Sequence, residues 1–86
     1  MLFICMLTTI EGKLNEAAKI YKHPNVPRNM KIVASYGLFG KPDALFVIDA
    51  ENESAVVEFI SQFGSVAITQ TALAFPSDEF KWTRRA

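Results

Sequence analysis

Two short runs set the terms for this chain. Leu2-Phe3-Ile4-Cys5-Met6-Leu7 and Ala44-Leu45-Phe46-Val47-Ile48 are apolar at every position. A strand with one face in water alternates apolar and polar residues, whereas an unbroken apolar run suits a strand covered on both faces. Whatever fold holds these two strands must therefore cover each of them twice. Neither run is long enough to cross a bilayer, which takes about 20 apolar residues.

The rest of the chain divides around them. After Leu7, the sequence Thr8-Thr9-Ile10-Glu11 matches a capping box, in which a hydroxyl and a carboxylate satisfy reciprocal backbone donors. Ile10, Leu14, Ala17, Ala18 and Tyr21 follow at the spacing of one helix face. Pro24 and Pro27 end that helix and make "HPNVPRN" a loop. Met30 to Phe39 is a second strand, Gly40-Lys41-Pro42-Asp43 a turn, and Ala44 to Ile48 the third strand. Asn52 is a candidate N-cap with Glu51 and Glu53 beside it, and acids are favoured at the positive end of the helix dipole. Val56, Phe59, Ile60 and Phe63 form the second helix face, and Gly64 supplies a stop. Val66 to Phe75 is the fourth strand, ended by Pro76.

The order βαββαβ is that of two interleaved right-handed crossovers. It predicts an α+β, ferredoxin-like domain over residues 1–76, a four-stranded antiparallel sheet with two helices on one face. Residues 77–86 form a tail that packs on the domain or on a partner subunit. In this fold the two apolar runs are the central strands, and the helices cover one side only. The other side would present an apolar patch on the order of several hundred Å², which soluble monomers rarely expose. Face-to-face pairing of two such sheets removes the conflict, so a homodimer or an assembly of dimers is expected. Phe80 and Trp82 in the tail are candidate dimer contacts, since large aromatics anchor interfaces. A monomer with the tail folded over its own sheet uses the same two residues.

Composition excludes several classes. Nine basic residues balance nine acidic ones, and no Lys/Arg run interleaves with aromatics, so no nucleic-acid partner is expected. Arg84 and Arg85 form only a short basic pair at the tail. Half of the residues are hydrophobic, rich for one small domain with little interior. The opening "MLFICMLTTI" lacks a basic leader and runs straight into charged residues, so it reads as a strand and not as a signal peptide or membrane anchor. One cysteine, Cys5, excludes an internal disulfide framework and fits a reducing, cytoplasmic setting. Its apolar neighbours point to a buried, inert thiol.

"YGLFGKPDALFVID" carries Gly37, Gly40, Lys41 and Asp43 between two apolar runs, residues of the kind found in a phosphate-gripping loop. Such a loop leads from a strand into a helix N-terminus, where free N–H groups face the anion. Here it leads from strand to strand, and Pro42 removes a donor. It is a hairpin bend.

The stretch "GKPDALFVIDAENESAVVEF…GSVAITQTALAFPSDEF" resembles the GYD-domain proteins, a family of largely unassigned function. Gly40, Asp43, Gly64, Thr69, Thr71, Ala74 and Phe75 occupy the family's positions, while Pro42 stands where its signature tyrosine belongs. The match covers the C-terminal half. The resemblance implies a dimeric α+β barrel, a superfamily that mixes cofactor-free monooxygenases, isomerases, haem-handling enzymes and ligand-sensing domains. Fold alone does not choose among these.

Few residues carry evident chemistry. His23, the only histidine, sits in the loop after the first helix. It is a candidate catalytic acid/base, and equally a loop histidine where a helix end favours a cation. Tyr36 is a candidate donor to a substrate oxyanion, or a strand aromatic packing across the sheet. Thr69, Gln70 and Thr71 put polar groups inside an apolar strand and are candidate ligand contacts, with interface or edge-strand chemistry as the competing account. Tyr21 reads as the last apolar position of its helix, and Asp43 as a turn acid. No cluster has metal-ligand spacing, and no metal or cofactor is expected. Two apolar-lined functions remain in view: binding of a small organic ligand, in a sensing or regulatory module, and cofactor-independent oxygenation or isomerisation through His23 or Tyr36. A structural assembly protein without a ligand is the third.

Overall fold

The computed structural model describes residues 1–82. Strand β1 (Leu2–Thr9), helix α1 (Leu14–Lys22), strands β2 (Met30–Gly37) and β3 (Ala44–Ala50), helix α2 (Glu53–Ser61) and strand β4 (Ala67–Ala74) follow in order. The strands form one antiparallel sheet in the order β2-β3-β1-β4. This is the ferredoxin-like arrangement, with the two all-apolar runs as its central strands.

Burial along those strands shows which parity meets the helices. Phe3, Cys5 and Leu7 of β1 and Ala44, Phe46, Ile48 and Ala50 of β3 are buried. They join one core with Ala17 of α1 and Ala55, Val56 and Phe59 of α2. Phe46, Phe59 and Phe63 form its centre, each ring centroid within 5.7 Å of the other two. Such aromatic contacts add to the area that the rings bury. The opposite parity, Leu2, Ile4 and Met6 with Leu45 and Val47, lies on the open face and is half-buried. The molecule is 19 Å thick in its shortest dimension, one sheet and one helix layer.

The first helix starts later than the capping box suggests. Thr8 and Thr9 belong to β1, opposite Ile68 and Ala67 of β4, and the N-cap of α1 is Lys13, with no side-chain cap bond. The physical reason is competition for the same backbone. The Thr9 N–H goes to Asp43 Oδ2 at 2.6 Å, and the Ile10 N–H to the Val66 carbonyl at 2.8 Å. Gly12, at φ 85°, then turns the chain into α1 in a conformation that favours glycine. β2 likewise stops at Gly37: the Leu38 N–H still donates to the Asp43 carbonyl opposite it, but the Asp43 N–H goes to the Leu7 carbonyl and does not return the bond. The hairpin bend contains Gly40 at φ 129° and a cis Lys41–Pro42 peptide.

Asn52 caps α2 as its sequence suggests, its side chain accepting from the Ala55 N–H at 3.0 Å. The other end does not use Gly64. The helix ends at Ser61, and Gln62 in right-handed backbone closes it. Gln62 Nε2 donates to the Phe59 and Asn25 carbonyls, and its Oε1 accepts from the Asn25 N–H, which ties α2 to the loop after α1.

Beyond β4, Phe75, Phe80 and Trp82 pack on one another, with Phe80 and Trp82 edge to face at 4.7 Å. Trp82 Nε1 donates to the Ser77 carbonyl, and its side chain stays largely exposed. Arg84 and Arg85, and the end of the tail from residue 83, lie outside the described residues.

Candidate functional site

A cavity of about 390 Å³ opens between α1 and the β2–β3 side of the sheet. Ala18 and Tyr21 of α1 form one wall, and Ala44 and Phe46 of β3 the floor. Ser35, Tyr36 and Gly37 of β2 line a third side, with Lys22 and Asp43 at its polar end. The small residues Ala18, Gly37 and Ala44 leave the space, since larger side chains at those places would fill it.

The polar end is organised by a short chain of hydrogen bonds. The Tyr21 hydroxyl lies 2.9 Å from Thr9 Oγ1, and the Thr9 N–H donates to Asp43 Oδ2. Tyr21 is also held by Phe63, ring centroids 5.8 Å apart, so its phenol is fixed from both ends. The Thr9 N–H, with Lys41 Nζ at 3.7 Å, holds the Asp43 carboxyl below the usual carboxylate range, so it is ionised at neutral pH. The cavity thus offers an apolar floor, a positioned phenol and a stable carboxylate.

The residues singled out in the sequence fall at several places. Tyr36 lines the cavity rim, but it pairs with Leu45, so its ring belongs to the open face and is exposed. His23 is the C-cap of α1, exposed, its backbone N–H donating to the Lys19 carbonyl. It does not line this cavity. Thr69 and Thr71 share the helix side of the sheet, opposite Leu7 and Cys5, while Gln70 lies on the open face opposite Met6. Thr71 Oγ1 lies 3.6 Å from Cys5 Sγ. Cys5 itself is fully buried, and burial pushes its thiol up, which keeps it protonated. The structure brings none of these three β4 residues to the cavity.

Tyr21 and Asp43 were passed over in the sequence. At helical spacing a tyrosine and a leucine give the same apolar signal. The only hint was that a buried phenol needs a partner, and Thr9, twelve residues away, gives no local sign of being one. Among the described residues no group of three or more His, Cys, Asp or Glu is placed to hold a metal ion. No helix is long and apolar enough to cross a membrane.

No family model matches the chain, and no curated protein is significantly similar to it.

Proposed function

We propose that this is a small-ligand-binding protein, a homodimer of α+β-barrel type that holds an apolar organic molecule beside α1 and serves as a sensing or regulatory module. The observation that carries the reading is the cavity of about 390 Å³, whose volume lies in the range of small-molecule sites. Its apolar floor supplies affinity, and Tyr21 and Asp43 at one end supply orientation. An ionised carboxylate selects a ligand with a hydrogen-bond donor, such as a hydroxyl or ring N–H, and disfavours an anion. The GYD-like residue pattern fits this reading, and so does the apolar open face, which a second copy would cover.

The test is native mass spectrometry of the protein taken directly from cells, followed by a crystal structure with any ligand it retains. The expected result is a bound organic molecule in the cavity, lost in Ala18→Leu, which fills the space while keeping the fold. A protein with no retained ligand, whose thermal response to a panel of small apolar alcohols and phenols is the same with and without Ala18→Leu, would sink the proposal.

A second reading, cofactor-independent oxygenation or isomerisation, rests on the one tyrosine whose side chain lines the cavity wall, Tyr21, because the Tyr36 ring lies on the open face and His23 lies outside the cavity. In that case Tyr21→Phe removes turnover of the retained molecule, while Tyr36→Phe and His23→Ala leave it unchanged; loss of turnover in either of the latter two would move the acid/base role away from the cavity.

A further inference from the structure

The two edges of the sheet are built differently. β2 carries Lys31, and its register to β3 shifts around Val33. A charge and a bulge are devices by which an edge strand resists pairing with another chain. β4 has neither. Its sequence AITQTALA holds no charge, proline or glycine, and all eight residues pair with β1 without a shift. Among the described residues β1 is its only neighbour in the sheet. Ile68 is 65% exposed and Leu73 45%, and Gln70, Thr71 and Ala72 are exposed too. A long, flat, uncharged edge of this kind is a template for strand addition.

The sequence of β4 also says which strand fits it. Outward from Gln70 in both directions, Thr69 matches Thr71, and the next two pairs, Ile68 with Ala72 and Ala67 with Leu73, are apolar and each join a small residue to a large one. Two copies related by a two-fold axis through Gln70, perpendicular to the sheet, run antiparallel, so every residue meets its mirror. Thr69 then faces Thr71 of the second copy twice over, a pair that hydrogen-bonds across strands. Gln70 faces itself, which an uncharged residue allows. Mirror positions also share parity. Whichever set of backbone N–H and C=O groups points outward on one copy, it meets the outward set of the other. An axis between two residues would set outward groups against inward ones, and an axis through Thr69 would set Ile68 against Gln70.

We propose that the outer edge of β4 pairs with β4 of a second copy of this chain, antiparallel and centred on Gln70. The two sheets become continuous, with both apolar open faces on the same side. This contact does not depend on the cavity beside α1, and it is separate from any face-to-face contact between sheets.

Cysteine cross-linking tests it, because Cys5 is fully buried and does not compete. Gln70→Cys sets two thiols opposite each other with Cα atoms about 4.5–5.5 Å apart, within disulfide range. Ile68→Cys leaves its thiols about 14 Å apart along the strand, whereas Ile68→Cys/Ala72→Cys brings unlike positions together. The expected result is a covalent dimer of Q70C and of the double variant under mild oxidation, with I68C largely unlinked. Adding Thr69→Lys/Thr71→Lys to Q70C opposes like charges and slows linking on the order of tenfold. Thr69→Glu/Thr71→Lys opposes unlike charges and restores it. Equal linking at residues 68 and 70 overturns the proposal. So does no linking of a Q70C protein with the circular dichroism of wild type, or an unrelated peptide found along β4. Loss of the dimer in Val47→Asp while Q70C stays unlinked would remove the edge contact and keep the face contact.

Discussion

At the scale of single residues, Asp43 joins the fold to the candidate site. Its carbonyl accepts the last β2-side N–H, that of Leu38, its own N–H donates to the Leu7 carbonyl, and its carboxylate holds the Thr9 N–H at the end of β1. That last bond, more than any charge partner, keeps the carboxyl below its ordinary value of 3.8. A lowered folded-state value stabilises the native protein wherever the group is ionised in both states, and that contribution disappears as pH falls through the folded value. Asp43→Asn should therefore lower the melting temperature by a few degrees at pH 7. The gap between variant and wild type should close on acidification below 3.8. Thermal denaturation measured from neutral pH down to pH 2 checks this, and a gap that stays constant with pH would show that the carboxylate charge is not involved. Little of this was legible in advance. As a turn acid Asp43 needed no other explanation, and its partner lies 34 residues away.

Among the elements, those dominated by hydrophobic pattern were legible and those dominated by competition for backbone groups were not. The all-apolar runs became β1 and β3 because burial on the helix face and proximity to the open face both favour it. Thr8 and Thr9 misled because a threonine pair before a helix reads as a cap, while threonine is equally at home in a strand. Only the pairing partner on β4, distant in sequence, decides between the two. At Asn52 no strand competes, so the local signal survived. The Asn52 side chain satisfies the Ala55 N–H, and Asn52→Ala leaves that donor without it. The expected cost is about 1 kcal/mol, which lowers the melting temperature by about 4–8 °C in a domain of this size. Chemical denaturation with an unchanged m-value would assign the loss to stability alone, and a midpoint equal to wild type would show the cap to be dispensable.

For the whole molecule, the question is what covers the open face. The radius of gyration, 13.7 Å, exceeds the roughly 12 Å of a compact chain of this length. Extents of 41 × 32 × 19 Å, those of a flat two-layer slab, accord with the difference. Leu2, Ile4, Met6, Leu45 and Val47 lie side by side across β1 and β3 on that face, flanked by Tyr36 and Ile68 at 57% and 65% exposure. Val47 sits near the centre of this patch, between Ile4 and Ala34, and points away from the core. A charge there leaves the helix-side packing intact but opposes burial against a second sheet, because an unpaired carboxylate loses its hydration. Val47→Asp should thus retain wild-type circular dichroism while light scattering shows a monomer in place of the proposed dimer. Val47→Ala, which keeps the face apolar, should stay dimeric. A wild-type protein that is monomeric at all concentrations, or a Val47→Asp variant that associates as wild type does, would leave the open face in water and remove the contact.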